Sequence, residues 1–124
     1  MIRQYSKKQI ERYRRQKYIN LLNKCTRQLY RFFKDEKSQL QEYQKRFQTL
    51  KKELEAFNDV IISSDHIKRI KEYIENLYQE TVLNKDFNQE KFDKIKALQA
   101  SNLNRLQRMK NSLKYKKNKY NSFE

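Results

Sequence analysis

Not one of the 124 residues is glycine or proline. That absence constrains the chain more than any other feature of it. Glycine supplies the positive-φ positions of tight turns, and proline supplies fixed corners and helix stops. Without glycine there is no phosphate-cradling loop and no Rossmann turn. Helix is left as the main regular structure, interrupted by Asn, Asp and Ser. A disordered, lysine-rich tail is the alternative. Against it stand nine Tyr and seven Phe, with Leu and Ile at regular spacing.

Ser6-Lys7-Lys8-Gln9 has the form of a capping box and opens a helix. Apolar residues then fall at Tyr18, Leu22, Cys25, Leu29 and Phe32, alternating four and three apart along one helix face. Lys34-Asp35-Glu36-Lys37 interrupts the pattern, and Ser38-Gln39-Leu40-Gln41 reads as a second capping box. A second stripe runs Leu40, Tyr43, Phe47, Leu50, Leu54, Phe57, and Asn58-Asp59 ends it. Val60-Ile61-Ile62 is a short apolar connector expected to fold back onto the core. Ser63-Ser64-Asp65 offers N-caps for a third helix with the face Ile67, Ile70, Ile74, Leu77. Asn84-Lys85-Asp86 breaks it. A less regular stripe follows: Phe92, Ile95, Leu98, Leu103, Leu106, Met109 and Leu113. The tail from Lys114 to Glu124 is basic and Asn-rich, either extended on a partner or frayed.

These stripes predict helices near 7–34, 39–58, 65–83 and 89–115 and no sheet. The expected fold is all-α: an antiparallel three-helix bundle with a fourth, basic C-terminal helix. A coiled coil is the alternative, because three-four spacing is also a heptad seam. The breaks at 34–38 and 58–65 favour the bundle. The expected division is a basic leader over 1–17, a three-helix core over 18–84 and a basic helical extension over 85–124.

The net charge of +15 is unevenly spread. Residues 1–34 hold eleven Lys and Arg against one acid, Glu11, and residues 105–124 hold seven against Glu124. The middle, 35–104, is nearly balanced at twelve against thirteen. Basic ends on a near-neutral body seek an acidic counterpart: nucleic acid, anionic lipid or an acidic protein. Basic helices with interleaved Tyr can contact phosphates and stack bases, although no recognised reader motif is present.

Catalytic chemistry finds little to stand on. Cys25 is the only thiol and His66 the only histidine, and they fall on different expected helices. Cys25 lies on the seam, where a free cysteine acts as a small apolar group. His66, in the first turn of the third helix, reads as a plain surface group. No cluster has zinc spacing, and no carboxylate pair stands apart from solvated helix faces. A single cysteine forms no internal disulfide and points to a reducing compartment. No apolar run reaches the ~18 residues that span a bilayer.

At Leu29-Tyr30-Arg31 the chain resembles the LYR-motif family of small mitochondrial helical proteins. The resemblance covers about residues 20–80. After the tripeptide the family has a second helix ending in a characteristic Phe, here Phe57, then a short link. An Asp, here Asp65, opens an apolar third helix. The chain departs at Asp65-His66, where the family often has Asp-Pro. The resemblance implies a non-enzymatic accessory subunit of a mitochondrial respiratory complex, complex I first. A sister role in iron–sulfur or mitochondrial ribosome assembly is the alternative. It implies a partner, the acidic mitochondrial acyl carrier protein, which presents an acyl-phosphopantetheine; the chain would carry no cofactor of its own. It implies partner-binding residues Leu29, Tyr30, Arg31, Lys34 and Phe57, with Arg31 on the carrier's acidic helix and the apolar residues shaping the core. The basic, acid-poor segment 1–34 also has the character of an uncleaved mitochondrial targeting sequence. A basic helical nucleic-acid-binding protein is the reading from another class.

Overall fold

In a computed structural model, the structure describes residues 6–121, with side chains described through residue 108. Four α-helices make up the described residues, with no strand among them: α1 (Lys7–Lys34), α2 (Leu40–Glu55), α3 (Asp65–Tyr78) and α4 (Gln89–Asn121). A single π-helical turn, Gln79–Leu83, continues α3. Residues 1–5 of the expected leader lie outside the described residues, as do the side chains of Met109, Leu113 and the basic tail. The α4 backbone stays helical through Asn121, past the end expected near 115.

The helix starts follow their caps. Ser6 Oγ accepts from the Gln9 amide and Gln9 Oε1 accepts from the Ser6 amide, which closes the capping box. Ser64 Oγ accepts from the Ile67 amide at the start of α3. The second expected box does not form. Gln39 is the N-cap of α2 and makes no side-chain cap bond. Ser38 Oγ donates instead to the carbonyls of Phe32 and Asp35, turning the chain back at the end of α1. The orphan Leu40 amide is satisfied from across the bundle, by Gln89 Oε1 at 2.7 Å.

The bundle is antiparallel throughout. Phe33, late in α1, meets Tyr43, early in α2, at 5.3 Å between ring centres. Phe47 of α2 meets Tyr78, at the far end of α3, at 5.1 Å. Phe92, early in α4, meets Phe33 at 5.9 Å, and Gln107, farther along, reaches back to Thr26. Tyr43 is the hub, with Phe32, Phe33, Phe47 and Phe92 around its ring. Its hydroxyl lies 2.9 Å from Thr81 Oγ1. Thr81 has one hydroxyl hydrogen, given to the Leu77 carbonyl, so Tyr43 is the donor in that pair.

The third-helix face is buried as the spacing predicts. At the end of the α1 stripe the buried residue is Phe33, while Phe32 is half-buried beside it, because the stripe takes a second step of four after Leu29. The connector divides: Val60 and Ile62 pack on the core, and Ile61 between them is 81 % exposed. His66 is half-buried, not a plain surface group.

The fourth helix belongs to the core. Phe92 and Leu103 lie in the same buried cluster as the seams of α1, α2 and α3, and α1 packs more extensively on α4 than on α2. Leu98, expected on the seam, is 60 % exposed. Its place on the buried line is taken by Lys96, whose Nζ donates to the Glu36 and Ser38 carbonyls and pairs with Asp93 at 2.9 Å. That lysine and Gln89 fasten α4 to the α1–α2 link.

Candidate partner-binding face

The residues Leu29, Tyr30, Arg31 and Lys34 occupy the last turns of α1. Helical geometry gives each a different neighbour. Leu29 is fully buried in the core. Tyr30 is half-buried where α1 meets α4. Arg31 and Lys34 are exposed. Lys34 Nζ donates to the Tyr30 hydroxyl at 3.2 Å and lies 5.6 Å from the ring centre, so the cation sits over the aromatic face.

Tyr30 stands between two open grooves along the α1–α4 seam. The larger, about 740 Å³, is lined by Tyr30, Phe33, Ala97 and Ala100, with Lys34, Lys96 and the acids Glu36 and Asp93. The smaller, about 320 Å³, is lined by Thr26, Tyr30, Leu103 and Gln107, with Arg27 and Arg31 at its edge. Both include Asn104. On the other side of Arg31 a third groove, about 360 Å³, leads to Arg46 on α2. The cations around Tyr30 are therefore Arg27, Arg31 and Lys34 from one face of α1, spaced four and three; Arg46 lies in the third groove, beyond Arg31, together with Lys37, Asp35 and Glu42. Among the described residues none of Arg27, Arg31, Lys34 and Arg46 makes an ion pair; Lys24, one turn earlier, pairs with Glu53 at 3.5 Å.

Phe57 is not part of this arrangement. It lies in the turn after α2, half-buried, with its ring 6.2 Å from Tyr18. Arg14 and Lys17 stand over it at 5.4 and 5.9 Å. From Arg14 to Arg31 is about five helical turns, or roughly 25 Å. Phe57 and the tripeptide thus sit at opposite ends of α1. Arg14 also forks onto Asp59, with bonds of 2.6 and 2.8 Å, and donates to the Ala56 carbonyl. The paired hydrogen bonds hold the Asp59 carboxyl below its ordinary range and raise the guanidinium.

Cys25 is fully buried, and loss of hydration pushes its thiol up to about 12, away from nucleophilic use. Among the described residues no group of three or more His, Cys, Asp and Glu could hold a metal ion. No helix among them is long and apolar enough to cross a membrane.

Sequence reasoning named Arg31 and Lys34 but not Arg27, Arg46 or the α4 side of the groove. Arg27 was within reach, since it precedes Arg31 by one turn on the same face. Arg46 and Ala100 come from other helices, and only packing brings them near. No family model, curated protein or solved structure matches the chain.

Proposed function

We propose that the chain is a non-enzymatic docking subunit whose α1 C-terminal face receives an acidic protein, and that this protein is an acyl carrier of the kind the LYR-motif family binds. The observation that carries the reading is the set of cations without an ion pair: Arg27, Arg31 and Lys34 beside the grooves at Tyr30, and Arg46 in the neighbouring groove past Arg31. Unpaired exposed guanidiniums cost little in the free protein and become bidentate contacts when carboxylates arrive. The groove lining of Tyr30, Phe33, Ala97 and Ala100 offers the adjoining apolar contact. The LYR-type identity of the bundle, a place in a mitochondrial respiratory complex (complex I first) and a matrix-side location rest on the sequence resemblance. So does the sister role in iron–sulfur or mitochondrial ribosome assembly.

Arg31 is exposed, so Arg31→Glu should leave the thermal midpoint within about 3 °C of wild type, surface changes being worth ~0.5 kcal/mol or less. Co-purification of an acidic acyl carrier should fall at least roughly tenfold, because a partner carboxylate would lose its cation and meet a like charge. A variant that keeps both its fold and its carrier would make the tripeptide a chance product of helix composition. The same four cations also fit a phosphate backbone, which is the second reading. Binding to duplex RNA or DNA that survives ~200 mM salt and is lost in Arg31→Glu would favour it over the carrier.

A further inference from the structure

We infer that the opposite end of α1, together with the loop over 56–64, forms a docking surface for an anionic lipid bilayer. Burial on α1 begins only at Tyr18. Of residues 7–17, Arg14 alone is half-buried and the rest are exposed. About 16 Å of helix therefore carries no core-facing side chain. A helix of that length has little stability of its own in water. Two devices hold it: the Ser6–Gln9 capping box and the Arg14 fork onto Asp59 and the Ala56 carbonyl. The fork joins the helix end and the loop into one unit.

That unit presents apolar groups to water. Ile10 is 48 % exposed, Tyr13 67 % and Ile61 81 %. Ile10 and Tyr13 lie in the turn before Arg14. Ile61 is two residues beyond Asp59, within roughly 7 Å of it along the chain. Its neighbours Val60 and Ile62 face the core, so the alternation of an extended segment sends Ile61 outward. Single exposed apolar residues are ordinary; these three each stand within four residues of one end of the Arg14–Asp59 pair, on a unit that the pair holds together.

Around these residues cations outnumber acids. Lys7, Lys8, Arg12, Arg15 and Lys17 have no ion pair among the described residues. The acids nearby in sequence are Glu11 on the helix, Glu55 and Asp65 at the ends of the loop, and Asp59, which Arg14 neutralises. These cations are distributed around the helix instead of converging on one point. A compact carboxylate cluster on a protein would meet only some of them. A laterally extended anionic surface meets more of them, while its headgroup and acyl boundary takes the isoleucines and the tyrosine. A phosphate polymer would satisfy the cations and leave Ile10 and Ile61 in water.

The test is co-sedimentation of the full chain with vesicles at physiological salt, one set of phosphatidylcholine alone and one mixed with phosphatidylglycerol. Retention is expected on the mixed vesicles only. Ile61→Ser should lower that partition roughly fivefold or more, from the loss of one inserted aliphatic side chain. Its thermal melt should not move, because Ile61 makes little packing contact. Lys7→Glu with Lys8→Glu should abolish retention. Absence of binding to the mixed vesicles would overturn the inference. So would an Ile61→Ser variant that partitions like wild type, since charge alone would then account for binding. Retention on duplex RNA without retention on the mixed vesicles would also overturn it, and assign the arm to phosphate polymers.

Discussion

At the scale of the residue, the contrast between Tyr43 and Phe57 separates what a stripe predicts from what packing delivers. Both stand on the unbroken three-four pattern of the second helix. Tyr43 is fully buried, touches four aromatic rings and donates its hydroxyl to Thr81. Phe57 falls just past the end of α2, where the chain has turned, and lies half-buried against Tyr18 with Arg14 and Lys17 over its ring. Truncating a buried aromatic costs ~3–5 kcal/mol, because the cavity stays partly open. A half-exposed ring leaves a dent that water fills. Phe57→Ala should therefore cost ~1–2 kcal/mol, about half the loss of Tyr43→Ala, by urea unfolding. Equal losses would mean that Phe57 is a core residue in solution. Its position also bears on function. If Phe57→Ala left carrier binding unchanged while Arg31→Glu removed it, the partner face would be confined to the C-terminal end of α1.

At the scale of the element, most helix boundaries were legible in the sequence, and the reason is local. Ser6, Ser64 and the Asn-Asp breaks act through neighbours three or four residues away, so their effect needs no tertiary knowledge. The start of α2 was misread for the converse reason. Ser38 had the right spacing for a cap, but its hydroxyl is drawn back to Phe32 and Asp35, and Gln89 from α4 takes over the amide. The fourth helix was misread in the same way. Its stripe looked irregular because a core position is filled by Lys96, whose charge is met by carbonyls and Asp93 from both sides. Such a lysine is invisible to apolar periodicity. The site followed suit: the α1 cations could be read from one helix, while the groove they border needs α4. The division at residue 84 can be tested directly. A chain ending at Asn84 would uncover Phe33 and Tyr43, which Phe92 covers, and leave the Leu40 amide without Gln89. It should retain helical signal but lose cooperative melting and bind a hydrophobic dye. Cooperative unfolding near the full-length midpoint would restore the three-helix core as an independent unit.

For the whole molecule, alkaline pH sets two large effects against each other. The net charge of +15 strains the compact state by self-repulsion, and that strain eases as lysines lose protons above ~10. Against this stand four acids kept neutral inside the bundle. Burial raises Cys25 from 9.0 to about 12, and burial likewise raises Tyr18, Tyr43 and Tyr73 from 10.0. Each binds its proton more tightly when folded than when unfolded. The stability linked to each is thus fully present below the unfolded value and lost as pH rises towards the folded one. For Cys25 the loss begins near pH 9, before the lysines titrate, at up to ~1.4 kcal/mol per pH unit. The tyrosines follow from pH 10, in the range where relief of repulsion also sets in. The urea midpoint should therefore hold level to about pH 9, fall between 9 and 10, and then fall less steeply than the four buried acids alone would require. Cys25→Ala isolates the first part. The substitution trims a small side chain and lowers the whole curve, but it removes the titrating group. Its midpoint should stay nearly flat between pH 9 and 10, where the wild-type midpoint drops. If the two curves ran parallel through that interval, the thiol would be ionising as freely in the folded chain as in the unfolded one, and Cys25 could not lie sealed between α1 and the rest of the core.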